Sequence, residues 1–307
     1  MTTSGKSVLV AGATGMLGAQ IAHSILDTGG SVRLLLRGAK PSDVKKAERV
    51  SALTARGVEI VLGDVSDKAS LDRATRGVDS VVSALQGGPD VIVDGQIALA
   101  EAAAGNGVRR FIPSDFAVNL FTLPDGSHPN LDMRRTADRA IAELPIEMTN
   151  VLNGGFMEVV FAPFFQIIDL ETATVSYFGD AATAMDVTTT SDTARFTALA
   201  ALEASPIPGP FGVVGDVVTI KQLCAILSQI HNKPFKLQRR GSIGDLEAWI
   251  RAEQTAGRAL AWPTIGAQYA WAMISGRARI EDPVNALYPT ITTTKTDQFL
   301  KQQSQRA

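Results

Sequence analysis

Gly12, Gly15 and Gly18 stand at Gly-x-x-Gly-x-x-Gly spacing, directly after the apolar run Ser7–Ala11 and at the opening of a helical pattern from Met16. Glycines at a strand-to-helix turn allow a backbone to approach a pyrophosphate closely. Gly12 accepts a tight turn without a Cβ penalty, Gly15 admits the anion, and Gly18 lets the helix lie near the sheet. Thr14 in the turn, with Met16 and Leu17 in the first helical turn, would present unpaired N–H groups and a partial positive charge to that anion. A packed turn without a ligand is the alternative for a glycine triplet alone. The regular succession of strand, turn, helix and second strand favours a dinucleotide.

The second strand, "VRLLLRG", ends in Arg37, 19 residues after Gly18. NAD-binding folds place an acidic residue there for the ribose hydroxyls. An arginine instead grips a 2′-phosphate bidentately, so NADP(H) is expected over NAD(H). Lys45 and Lys46 add charge at the start of the next helix; a solvated basic patch is the alternative. Asp64 in "VLGDVSD" either lies near an adenine or caps the helix at 67–75. Gln86, in "SALQGG" after the fourth strand, is placed along the far ribose and phosphate.

Ser114 and Asp115 follow the fifth strand, at the edge where open α/β sheets bind ligands, or else cap the next turn. Asn153 and Phe156 lie just past the sixth strand on the same edge, so this loop is expected to flank the nicotinamide. The histidines His23, His128 and His231 and the lone Cys224 have no zinc spacing, and no metal is expected. Neither a Gly-x-Ser-x-Gly elbow nor a Walker sequence occurs.

These residues need a scaffold, and the first 150 residues alternate regularly. Buried-strand patterns are read at Ser7–Ala11, Val32–Leu36, Val58–Leu62, Ser80–Ala84, Arg110–Pro113 and Glu147–Leu152. Helical patterns are read at Met16–Asp27, Ser42–Ala55, Lys68–Thr75, Val91–Ala104 and Asn130–Leu144. Continuous apolar runs suit a parallel sheet covered on both faces. The expected fold is α/β: a Rossmann-type doubly wound parallel sheet with a smaller C-terminal α+β substrate lobe. Residues 1–152 form the dinucleotide domain and 153–307 mainly the lobe, with about 190–215 returning to the first domain's sheet. Thr219 is a plausible cap for an amphipathic helix over 219–233. Residues 241–280 read as helical and hold Trp249, Trp262 and Trp271. These, with Tyr269, either line a pocket wall or pack in a core. Phe161, Phe164 and Phe165 are read first as lobe packing.

At 307 residues, 45% hydrophobic, 20% charged and a formal net charge of −2, the chain offers nothing that favours nucleic acid or an anionic membrane. No run reaches the roughly 18 apolar residues of a membrane span. One cysteine fits a reducing compartment, and the cytoplasm is the default. A monomer or homodimer is expected.

"GATGMLG", "GVRRFIPSDFAVN" (107–119) and "NGGFME" (153–158) together resemble the NmrA-like and isoflavone reductase-like branch of the atypical short-chain dehydrogenases. The resemblance covers most of residues 6–220. It implies a Rossmann domain, NADPH, a C-terminal substrate lobe, and reduction of aromatic or phenylpropanoid compounds. The branch also contains NADP(H)-binding regulators. Its plant reductases carry a lysine for proton transfer at the start of the helix after the "PSDF"-type strand. Alignment on "RAIAEL" puts Arg134 there, with Arg135 as the alternative, and no lysine occurs between Lys68 and Lys221. Arginine stays protonated and cannot act as a base.

Two readings follow. In one, NADPH reduces an aromatic, quinone-like or conjugated carbonyl compound, Arg134 stabilises developing negative charge, and the proton comes from water, Ser114, Asp115 or His128. In the other, the protein senses NADP(H) with little or no turnover. Arg134 and Arg135 on a solvated helix face, paired with Asp132 or Asp138, is the alternative to either role.

Overall fold

The computed structural model describes residues 5–38, 43–207 and 209–305. Contacts divide the chain into two compact units, residues 1–115, 133–151 and 193–211 in one and residues 116–132, 152–192 and 212–307 in the other. Residues 116–132, read from sequence as part of the first domain, thus pack in the second unit.

The first unit opens with β1 (Ser7–Ala11), α1 (Met16–Asp27), β2 (Ser31–Leu36), α2 (Val44–Thr54), β3 (Glu59–Leu62), α3 (Lys68–Thr75) and β4 (Ser80–Ser83). It continues with α4 (Gln96–Gly105), β5 (Arg110–Ile112), α5 (Pro129–Ile141, in this unit from Met133) and β6 (Glu147–Met148). The six strands form one parallel sheet in the order β3-β2-β1-β4-β5-β6. The order reverses between β1 and β4, and a crevice for ligands opens at such a switch point. Leu9, Val10, Val81, Val82, Phe111 and Ile112 have no exposed surface, as continuous apolar runs in a doubly covered sheet require.

Local chemistry sets the helix ends. Asp43 accepts from Lys46 N to cap α2, and Asp67 accepts from Ala69 N to cap α3. Ser42, the expected start of α2, lies outside the described residues. The helical pattern over Val91–Ala104 is not one α-helix: a π-turn at Asp90–Gly95 precedes α4. The expected strand Glu147–Leu152 is also broken. Only β6 joins the sheet, while β7 (Val151–Leu152) pairs elsewhere. Arg110 is fully buried on β5. It pairs with Glu147 at 2.8 Å and donates to the carbonyls of Ala200, Glu203 and Ser205, so one cation ties the sheet to the chain after residue 193.

The remaining elements are β8 (Gly155–Phe156), α6 (Met157–Val160), β9 (Ile168–Asp169), β10 (Thr174–Phe178), β11 (Ala184–Thr188), α7 (Thr190–Leu202) and β12 (Phe211–Gly212). They are followed by β13 (Asp216–Thr219), α8 (Ile220–Ile230), β14 (Lys236–Gly241), α9 (Ile243–Thr255), α10 (Trp262–Ile274) and α11 (Thr296–Ser304). The strand read at 210–214 shortens to β12, which pairs with β7 and does not enter the six-stranded sheet. The second unit holds two three-stranded sheets, β14-β10-β9 and β13-β11-β8. Its core gathers Leu152, Met157, Phe161, Val187, Leu223 and Trp271. Thr219 and Gln222 form a reciprocal capping box on α8, and Ser242 and Asp245 form another on α9. No helix among the described residues is long and apolar enough to cross a membrane.

Candidate functional site

The glycine turn is built at the switch point itself. Gly12 has φ +89°, and a Cβ there would stand 2.3 Å from the Ala84 carbonyl oxygen at the end of β4. A Cβ on Gly18 would stand 2.4 Å from the Gly12 carbonyl oxygen, so this glycine closes the helix onto the turn rather than onto the sheet. Gly15 is the N-cap of α1, bonded to Gly12 O at 2.9 Å, and no side chain caps the helix. No acidic residue lies in its first turn. Thr14, Met16 and Leu17 thus surround an N-terminus whose positive end is left for an external anion. This cradle of backbone and absent side chains fits a dinucleotide pyrophosphate.

Around it, Arg37 stands exposed at the end of β2, with no carboxylate within ion-pair distance among the described residues. Lys45 is exposed on α2. Asp64 does not cap α3; that task falls to Asp67. Asp64 instead folds its own turn, accepting from Ser66 N at 2.9 Å and Ser66 Oγ at 2.7 Å. These bonds hold its carboxyl below the usual range, and the charge of Arg37 adds to the effect. Sequence reasoning missed Arg49, whose guanidinium donates to Thr14 O at 2.9 Å and braces the turn from α2. No local motif marks a contact made across two elements.

At the next strand ends, one residue organises the edge. Ser114 Oγ donates to Leu85 O at 2.7 Å, and Ser114 N donates to Gln96 Oε1 at 2.8 Å. Gln96 is itself buried and held on Ile92 O. Arg134, half-buried on α5, donates to Ser114 O. Ser114 therefore links the Leu85–Gln86 loop to Arg134 while its hydroxyl proton is engaged. Gln86 remains exposed.

Asp115 has no exposed surface, so this carboxyl does not face solvent as a direct proton donor. Its Oδ2 accepts from Asn150 Nδ2 at 2.7 Å. Burial raises its pKa, partly offset by that bond and by Arg134. Asp138, one helical turn beyond Arg134, is only 4% exposed. Burial first, then the negative charge of Asp115, push its carboxyl up to about 9. Burial raises both carboxyls, and the repulsion between them favours retention of a proton by the pair. The sequence offered Asp132 or Asp138 as partners for Arg134 and Arg135; in the fold the Asp138 carboxyl is buried and both its oxygens lack a hydrogen-bond partner.

Asn153 and Phe156 belong to the second unit. Asn153 is fully buried; its backbone N–H donates to Ala117 O at 2.8 Å, and both side-chain polar atoms lack a hydrogen-bond partner within the chain. Phe156 is half-buried and pairs with Thr188. Gly154 has φ +67°, and a Cβ would stand 2.3 Å from Asp186 O, so this glycine serves the fold of its own unit. His128 is fully buried, edge-on to Tyr269 at 4.5 Å, which removes it from solvent as a proton source.

The second unit also contains a cavity of about 510 Å³ with walls from Phe165, Tyr177, Phe178, Trp249, Trp262 and Ile274. Phe164, read as packing, is also on the wall, and it is 65% exposed. Trp271 is instead buried, with Nε1 donating to Glu247 at 2.8 Å, and Tyr269 packs on His128. Such a volume and lining suit a small, largely apolar ligand. Among the described residues no group of three or more His, Cys, Asp or Glu could hold a metal ion.

Comparison with known proteins adds an independent line. The profile described as the NmrA-like family matches residues 4–248. An isoflavone reductase homologue from Zea mays is 34% identical over 120 residues, 39% of this chain and 38% of the relative. The (4-alkanoyl-5-oxo-2,5-dihydrofuran-3-yl)methyl phosphate reductase of Streptomyces griseus is 31% identical over 240 residues, 76% of this chain and 77% of the relative. The solved structure of AtPrR2 with NADP+ and (+)pinoresinol superposes with a TM-score of 0.81 at 22% identity, covering 97% of this chain and 98% of that one. The match thus spans less than half of the maize relative, and the structural likeness establishes the fold.

Proposed function

The chain belongs to the NmrA-like family, and from that premise we propose that it is an NADPH-dependent reductase of an aromatic, quinone-like or conjugated carbonyl small molecule. One observation carries the reading. A single sheet edge holds an uncapped glycine cradle after β1 at the switch point and, after β5 two strands away, a guanidinium fixed on the Ser114 carbonyl. Gly12, Gly15 and Gly18 would hold the pyrophosphate, and Arg37, with Lys45, the 2′-phosphate. The cofactor supplies hydride when bound. Arg134 would stabilise negative charge that develops on a substrate oxygen. Its charge acts on the buried carboxyls of Asp115 and Asp138. The apolar cavity of the second unit would take a small apolar ligand. The Streptomyces relative is named for a conjugated oxo-furan, and AtPrR2 was solved with an aromatic lignan; both support this substrate range.

The test is loss of NADPH absorbance against a panel of quinones, enones and phenylpropanoids. Oxidation with at least one member, faster with NADPH than NADH, is expected. A second reading has its own observation: the Ser114 hydroxyl is engaged and Asp115 is sealed, so no proton donor of this pair faces solvent. Tight NADP(H) binding with no turnover across the panel would establish that reading, an NADP(H)-responsive regulator.

A further inference from the structure

We propose that the cavity of the second unit selects an apolar molecule bearing an anionic group, and that Arg240 is the residue that reads this charge. The inference rests on the cavity being a ligand site, as above, and adds what distinguishes its ligand.

The register of β14 on β10 carries the argument. The two strands pair in parallel from Thr174 with Lys236 to Tyr177 with Arg239. The next pair is Phe178 with Gly241, so Arg240 is an extra residue with no partner. A bulge of this kind breaks strand alternation and re-aims one side chain. Here the re-aimed side chain joins the cavity lining, and its guanidinium carbon lies 5.2 Å from the centre of the Phe178 ring. Stacking on an aromatic face holds a guanidinium in place while leaving its N–H edge open.

The charge is also unspent. Arg240 has no carboxylate within ion-pair distance among the described residues. Asp245 is the one acid on the cavity wall, and it is committed elsewhere. Its Oδ2 accepts from Ser242 N at 2.7 Å and Ser242 Oγ at 2.8 Å in the box that starts α9. Those bonds hold its carboxyl below the usual range, with Arg239 adding to the effect. The other walls are mainly aromatic and aliphatic, with Ser176 bonded to Gln238. An apolar chamber with one stacked, unpaired guanidinium at its wall matches an aryl or acyl compound that ends in a carboxylate, phosphate or sulfonate.

Two fluorescent probes with the same ring frame separate charge from apolar burial. Anilinonaphthalene sulfonate is anionic, and N-phenylnaphthylamine is its neutral counterpart. Titrated into the full chain, the sulfonate is expected to bind at least fivefold more tightly. Arg240→Gln should weaken the sulfonate about tenfold and leave the neutral probe within twofold. Arg239→Gln, which alters the neighbouring cation outside the lining, should change neither. Equal weakening by both variants would reduce the effect to general surface charge and overturn the proposal, as would an unchanged sulfonate affinity in Arg240→Gln. Trp262→Ala should weaken both probes. If it weakens neither, they bind elsewhere, and the cavity reading falls rather than the role of Arg240 alone.

Discussion

The glycine cradle of the first unit and the aromatic cavity of the second are built on opposite principles. The cradle is made of backbone, and its working feature is missing side chains: a Cβ at Gly12 would collide with Ala84 O, and one at Gly18 with Gly12 O. Seven residues of continuous chain supply it. The cavity is made of side chains from five separated stretches: around 164–167, 176–178, 220, 240–249 and 262–274. The difference teaches where each site tolerates change. A backbone site fails when anything is added, whereas a side-chain site degrades in steps as its walls are trimmed.

The largest expected effect tests the first half of that contrast. Gly12→Ala must place a Cβ within 2.3 Å of a main-chain oxygen at φ +89°, so NADPH binding should weaken at least about a hundredfold. Titration calorimetry, with circular dichroism as the folding control, measures it. Gly15→Ala, with its nearest contact at 3.2 Å, should lose much less; equal losses would show that folding, not anion approach, is the cause.

Arg134→Met should come next. The guanidinium is already anchored on Ser114, so kcat should fall about thirtyfold, below the range of a fully dedicated oxyanion donor, while the NADPH Kd stays within threefold. An unchanged kcat would detach α5 from the chemistry. Arg37→Glu should then move the NADP(H) to NAD(H) affinity ratio about tenfold toward NAD(H). Two equal dissociation constants in the wild type would remove the 2′-phosphate role.

In the cavity, Phe165→Ala should weaken a neutral naphthylamine probe by only about fivefold, because several other aromatic walls remain. A loss comparable to that of Gly12→Ala would erase the contrast between the two sites.

The remaining effect is on stability. Asp138 is neutral in the fold up to about pH 9 and ionised in the unfolded chain above the ordinary carboxylate range. Its raised pKa favours the fold at low pH, and this contribution is lost as pH rises through that interval. Asp138→Asn mimics the neutral acid and should gain stability relative to wild type from about pH 5 to about pH 9. Parallel urea-unfolding curves across that range would show that Asp138 carries no extra proton.

Much of the first unit was legible because its signals are local. Ser7–Ala11, Met16–Asp27 and Lys68–Thr75 are found as read, and β2, β3, β4 and β5 each differ by one residue at one end. Periodicity and capping act within a few residues, so they survive without knowledge of partners. The misses are all long-range. The π-turn before α4 arises where Gly95 meets Val65, which a Cβ would reach at 2.7 Å. The break after β6 lets Asn150 reach Asp115. Asp138 was visible as a helical neighbour of Arg134, yet its proton depends on a carboxyl 23 positions earlier in the chain.

By itself the sequence determined a doubly wound sheet, the glycine turn, the basic residue after β2 and the arginines on the helix after the fifth strand. Each is a matter of residue type at short spacing, which the peptide backbone converts into structure locally. Only the tertiary structure decided that Ser114 is a brace, that the carboxyls of Asp115 and Asp138 are buried, and that Arg240 stands in an aromatic wall. Those properties come from burial and register, and both are set by residues far away in the chain.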